Sequence, residues 1–164
     1  VVFIGKHEIH REVVVRRLSK SGVNVCVGGA GWSKVSKSMR EAGVEILGVD
    51  FREKAYQSVF ERSKIGLGFI SKDFPELHTT RTFEIPYFGC VLATEKNLET
   101  SGFYADSEVL FYTSLEELET QIKGALASGE WVNIARAGHA RVLQSNYSWR
   151  GQMELAHKKI ERNA

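Results

Sequence analysis

Proline, cysteine and long apolar runs are all scarce in this chain. Two prolines and fifteen glycines among 164 residues leave no collagen-like or low-complexity segment. The longest strongly apolar stretch, Ile65–Ile70, has strand length and falls far short of the ~20 residues that span a bilayer. The two cysteines, Cys26 and Cys90, are far apart, each inside an apolar strand pattern. No Cys or His stands at ligand spacing beside either, which argues against a disulfide framework and a metal pair. Buried free thiols and a reducing, cytoplasmic setting are the reading that remains. Net charge is only +2. With no helix-turn-helix, zinc-finger or RNP pattern, a nucleic-acid partner is not expected.

The familiar nucleotide motifs are missing as well. There is no GxxxxGK[ST] phosphate loop. The turn after the first strand reads Gly5-Lys-His-Glu-Ile-His10, not GxGxxG, which disfavours a dinucleotide dehydrogenase. Gly28-Gly-Ala-Gly31 follows the second strand and reads as relief of a tight turn.

What is present is an ordinary globular mix, 43% hydrophobic and 26% charged, at a length suited to one domain. The chain starts abruptly in an apolar strand, Val1–Gly5, which predicts a piece of a longer protein. Strand and helix patterns then alternate. A helix is predicted over 8–20 with Ile9, Val13, Val14 and Leu18 on its apolar face, closed by Gly22. Further strands are expected at 23–27, 44–47, 65–70, 90–94 and 109–112. Helices are expected at 33–42, 53–63, 80–88, 114–126, 130–143 and 149–160. Ala55, Tyr56, Val59 and Phe60 form the apolar face of the helix at 53–63, and Ser114 with Glu117 forms a capping box. This rhythm predicts an α/β fold. It is a Rossmann-like, doubly wound parallel sheet of about six strands, flanked by helices and extended by C-terminal helices. Ligands of such sheets bind outside the strand carboxyl ends at the switch point.

Two clusters fall there. Lys6, His7, His10 and Arg11 surround the first βα turn. They read either as a solvated basic helix start or as an anion site built with Gly5 on a helix N-terminus. The basic excess is concentrated in that half: residues 1–64 carry +5 and residues 65–164 carry −3. The second cluster is Glu76-Leu-His-Thr-Thr-Arg-Thr-Phe-Glu84, directly after the central strand. Thr79 and Thr80 are either helix caps or phosphate ligands beside Arg81. Glu84 shares a helix face with Thr80 and is either a dipole-complementing carboxylate or an acceptor for ribose hydroxyls. Glu76 and Glu84 have E-x7-E spacing. His139 and His157 read as structural or surface residues, and Trp32, Trp131 and Trp149 as packing residues.

His78-Thr-Thr-Arg-Thr-Phe-Glu-Ile-Pro-Tyr-Phe-Gly89, followed by Val91-Leu-Ala-Thr-Glu95, resembles the signature H-T-x-R-x-F-E-x-P-x-x-G of group 1 glycosyl transferases related to spore-maturation (CgeB-like) proteins. Phe3-Ile-Gly5 with His10-Arg11, Ser63–Phe69, Ser114–Glu117 and Ala137-Gly138 through Tyr147-Ser-Trp149 resemble the flanking parts. The resemblance implies one C-terminal, donor-binding domain of a GT-B enzyme over 1–164, with an N-terminal acceptor domain outside this chain. It implies a nucleoside diphosphate sugar as donor, transfer with retention, and no cofactor or metal. It assigns ribose binding to Glu84, the diphosphate and donor sugar to His78, Thr79, Thr80 and Arg81, and completion of the diphosphate site to Arg11 with Gly5, Lys6 and His10. Glu76 is the candidate catalytic carboxylate, although Leu77-His78 stands where the broader retaining group has Gly-Phe-Gly. Two alternatives remain open from the fold pattern. One is a regulatory flavodoxin- or receiver-like module, which the basic turn after Gly5 argues against. The other is a nucleotide-sugar epimerase domain.

Overall fold

A computed structural model describes residues 1–163; the side chains of residues 149, 162 and 163 are outside that description, and with them the packing role expected of Trp149. Six strands form one all-parallel sheet: β1 (Val2–Ile4), β2 (Cys26–Gly28), β3 (Glu45–Gly48), β4 (Ile65–Leu67), β5 (Val91–Glu95) and β6 (Leu110–Tyr112). Their order is β3-β2-β1-β4-β5-β6. The chain winds outward from β1 in one direction, then crosses to β4 and winds the other way. The switch point therefore lies between β1 and β4, where Val2 pairs with Gly66.

The helices are α1 (Ile9–Lys20), α2 (Ser36–Glu41), α3 (Glu53–Glu61), α4 (Arg81–Tyr87), α5 (Thr100–Phe103), α6 (Leu115–Ser128), α7 (Trp131–Gln144) and α8 (Trp149–Asn163). A 3-10 turn at Trp32–Val35 replaces the first part of the helix expected at 33–42. The strands alternate their side chains between two cores. Phe3, Val27, Leu67, Val91 and Ala93 meet Val15 and Leu18 of α1 and Leu118 and Ile122 of α6 on one face. Val2, Ile4, Leu92 and Phe111 meet Phe60 of α3 and Ile85 of α4 on the other. Each such aliphatic or aromatic side chain contributes about 1.5–3 kcal/mol through burial. Among the described residues no helix is long and apolar enough to cross a membrane.

Helix α1 is rotated from the expected orientation. Val14, Val15 and Leu18 are buried as a stripe with Arg11, while Ile9 and Val13 face outward, at 79% and 52% exposure. Periodicity admitted either stripe. The turn that binds Arg11 beneath it selects one. In α3, Ala55 is exposed although Phe60 is buried. Helix α4 runs less than two turns with Pro86 near its end, and Gly89 in the left-handed region (φ 75°) closes it. Ser114 caps α6 by accepting from Glu117 N at 3.1 Å, while the Glu117 carboxylate reaches back to Thr113 N at 2.7 Å.

Candidate functional site

The end of β1 is held by backbone. Gly5 N donates to Gly28 O (2.9 Å) and His7 N to Ala30 O (2.8 Å). Gly29 has φ 116°, and a Cβ there would lie 2.4 Å from Gly5 O, so the two glycine turns touch backbone to backbone. Trp32 Nε1 donates to Gly5 O at 2.9 Å from beneath. The result is a rigid turn that leaves Lys6 exposed beside the first turn of α1.

Glu8 stands at the N-terminus of α1 with extended backbone and no capping bond of its own. Its carboxylate instead pairs with Arg11 at 2.9 Å, lies 3.5 Å from His10 Nδ1, and accepts from the Ser71 hydroxyl at 3.2 Å. Arg11 is only 4% exposed. Its Nη1 donates to Lys6 O at 2.9 Å, its guanidinium lies 5.4 Å from the centre of the Phe3 ring, and its Nε is buried with no acceptor among the described residues. Burial lowers the Arg11 pKa, Glu8 opposes this, and Arg81 adds to the lowering. Arg11 thus supports the turn from below. His10 is a neighbouring strut, with Nε2 3.2 Å from Ile70 O in the loop after β4.

Arg81 begins α4 and crosses to β1. Its Nε donates to Ile4 O at 2.7 Å, and its guanidinium centre is 5.8 Å from the same Phe3 ring. Phe3, fully buried, therefore carries two guanidinium groups against its π-face. A Cβ on Gly5 would lie 3.0 Å from Arg81 Nη2, so this cation sits directly over the glycine turn. Arg11 has a carboxylate partner; Arg81 has none among the described residues.

The capping alternative for the threonines is not what the fold uses. Thr80 has helical backbone and makes no side-chain cap bond; the side-chain bond at this helix start runs from Thr79 N to Thr82 Oγ1 at 3.2 Å. Both threonines line a cavity of about 680 Å³ together with His78 and Glu84. Phe83, Phe103, Val142 and Tyr147 form its apolar wall. Glu84 lies one turn into α4, and its Oε2 accepts from the Tyr56 hydroxyl at 2.7 Å. Burial raises the Tyr56 pKa first, and the bond to Glu84 raises it further, so the phenol remains the donor.

The candidate residues fall into two adjoining groups. Gly5, Lys6, His10, Arg11 and Arg81 gather around the β1 end, while His78, Thr79, Thr80 and Glu84 line the cavity. Arg81 and Glu84, on one helix, join them. Glu76 belongs to neither; its Oε1 accepts from Ser71 N at 2.8 Å and closes the loop after β4. Three residues that hold the site escaped the pattern reading. Glu8 lies within the basic first turn, Tyr56 on the apolar face of its helix, and Glu99, whose carboxylate meets His78 Nδ1, in a stretch to which the sequence pattern assigns no element. Only Glu99 had a local signal, because Asn97 three residues before Thr100 is a helix-start pattern. Among the described residues no three His, Cys, Asp or Glu side chains gather as metal ligands.

Several solved structures share the architecture. Anabaena HepE in complex with UDP-glucose matches with a TM-score of 0.73 at 12% identity, over 98% of this chain and 48% of that one. TarM matches with a TM-score of 0.73 at 13% identity, over 96% of this chain and 34% of that one. The C-terminal domain of a glycosyl transferase group 1 family protein (LpcC) from Francisella tularensis matches with a TM-score of 0.65 at 13% identity, over 90% of this chain and 86% of that one. This chain therefore spans a third to a half of the first two. At these identities the likeness concerns the fold. A comparison with curated proteins finds no match. The model of the family described as glycosyl transferase-like matches residues 9–157, nearly the whole chain. This chain belongs to the glycosyl transferase-like family.

Proposed function

We propose that this chain is the donor-binding half of a glycosyltransferase and holds a nucleoside diphosphate sugar across the β1/β4 switch point. The observation that carries the reading is Arg81, a cation with no carboxylate partner among the described residues, fixed over the Gly5 turn. In this reading Arg81 and Lys6 contact the diphosphate with the N-terminus of α1, and Arg11 positions the turn beneath them. Glu84, one turn further along α4 and oriented by Tyr56, accepts two ribose hydroxyls. His78, Thr79 and Thr80 face the donor sugar.

Chemically, such a site stabilises the charge that develops on the departing diphosphate. Cationic side chains do this without a divalent metal. Glu76, with one oxygen committed to Ser71 N, is the candidate catalytic carboxylate. Transfer proceeds with retention, the acceptor hydroxyl comes from a second domain, and the setting is cytoplasmic, in keeping with two free thiols. UDP is the first nucleotide to test, because the similar HepE structure carries UDP-glucose.

The test is thermal unfolding with UDP, GDP, ADP and dTDP. A ligand at 100 times its Kd adds ~2.7 kcal/mol, which is a rise of about 5–10 °C for a chain of this size. Arg81→Ala and Glu84→Ala should each abolish the rise, and EDTA should leave it intact. Absence of any rise at millimolar nucleotide refutes donor binding. Loss of the rise on chelation refutes the metal-free site.

A further inference from the structure

We infer that Glu99 is a positioning residue: it fixes the tautomer and direction of His78 so that His78 Nε2 accepts a hydrogen bond from a sugar hydroxyl in the cavity. The inference deepens the donor-site reading and rests on it for the identity of the ligand.

The geometry starts from His78 Nδ1, which lies 2.5 Å from Glu99 Oε2. A carboxylate accepts only, so Nδ1 carries the proton and Nε2 of the neutral ring is left with its lone pair. Nε2 has no protein partner among the described residues, and His78 lines the cavity. Glu99 makes no other side-chain bond among the described residues. The ring is also held edge-on by Phe83 (5.8 Å between centroids) and Phe103 (5.1 Å).

The loop that brings Glu99 there is heavily anchored. Asn97 Oδ1 accepts from Glu99 N (2.9 Å) and Thr100 N (3.0 Å), and Asn97 Nδ2 donates to Leu77 O at 2.8 Å, one residue before His78. Thr100 is fully buried and its hydroxyl donates to Glu95 O at 3.0 Å. An exposed ion pair needs no such scaffold and adds little stability. Side chains that orient a histidine through its far nitrogen commonly act on what the near nitrogen binds. The cavity that His78 lines is walled by Phe83 and Tyr147, whose ring centroids are 4.8 Å apart, and Thr79 and Thr80 lie on the same lining. That mixture of apolar wall and sparse acceptors suits a polyhydroxylated ring.

The experiment uses the 164-residue chain with 15N-labelled histidine, at about pH 9 where imidazoles are neutral. In the wild type, His78 should show a protonated Nδ1 and an unprotonated Nε2. Glu99→Ala should move it toward the Nε2–H form that free imidazole prefers. A wild-type His78 already in the Nε2–H form overturns the pairing. Binding of UDP and UDP-glucose, with GDP and GDP-mannose run beside them, reads the ligand. Glu99→Ala should weaken the sugar nucleotide by roughly 3- to 10-fold and leave the plain diphosphate unchanged. His78→Ala should weaken the sugar nucleotide at least as much, and the double variant should lose no more than His78→Ala alone. Additive losses, or equal weakening of diphosphate and sugar nucleotide, overturn the positioning role. If none of the four binds, the donor reading and the sugar contact fall together, while the tautomer still decides whether Glu99 directs His78.

Discussion

Replacing Tyr56 by Phe removes one oxygen and tests whether Glu84 is held or free. The ring keeps its packing, with centroids 4.9 Å from Phe60 and 6.1 Å from Phe88, so no cavity opens in the core. What is lost is the 2.7 Å bond from the hydroxyl to Glu84 Oε2. Hydrogen bonds to charged groups contribute ~1.5–3 kcal/mol when both partners are dry. Glu84 is half-buried, and water can take the vacated place. The expected cost is therefore ~1 kcal/mol, or about 2–4 °C in Tm for a chain of this length. The carboxylate also gains rotamer freedom, so affinity for UDP should fall by roughly 5-fold, another ~1 kcal/mol. The assay pairs a thermal melt with a UDP titration on the wild type and Tyr56→Phe. The raised Tyr56 pKa adds a pH signature: its stabilisation is present below the ordinary value of 10.0 and is lost as pH rises beyond it. An unchanged Tm, together with UDP affinity within about twofold of the wild type, refutes the claim that Tyr56 orients Glu84.

Two further outcomes follow from other titratable groups. Arg16 (2.7 Å) and His7 (2.8 Å) hold the Glu12 carboxyl below its ordinary pKa of 4.5. That contribution is complete above the ordinary value and lost as pH falls through the lowered one, so Glu12→Gln should flatten the acid limb of stability measured by urea unfolding between about pH 6 and pH 3. Burial pushes the Cys90 thiol up to about 12 and the Cys26 thiol up to about 11, Glu45 adding to the second. Mass spectrometry after alkylation at neutral pH should find Cys90 unmodified in the folded chain and modified in denaturant; rapid labelling of folded Cys90 contradicts its burial.

The sheet was legible because its strands are short, mostly apolar runs, five of the six with a glycine within two residues of an end, and each face of a parallel sheet is covered by helices. The alternation of Val2, Phe3 and Ile4 between two cores needed only the period of two. Helix rotation was not legible in the same way. Ile9 and Val13 obey helical spacing as well as Val14 and Leu18 do, and choosing between the stripes required the turn that sets Arg11 against Lys6 O and the Phe3 ring. The short helix α5 was not expected at all, because its four residues carry too little periodicity to register.

The site divides along the same line. Residue types and local spacing determined that cations, hydroxyls and a carboxylate cluster after the first and fourth strands, since a βα turn and a helix start are local structures. Tertiary structure alone decided which cation is committed and which is not. Glu8 neutralises Arg11 within one turn of helix, but Ser71 fixes Glu8 from 63 residues away, and Arg81 reaches Ile4 O across 77. Partnerships of that range, like Tyr56 with Glu84 and Glu99 with His78, arise when separate strands are laid side by side. No pattern along the chain encodes them, because each depends on the distance between two backbones that only the assembled sheet sets.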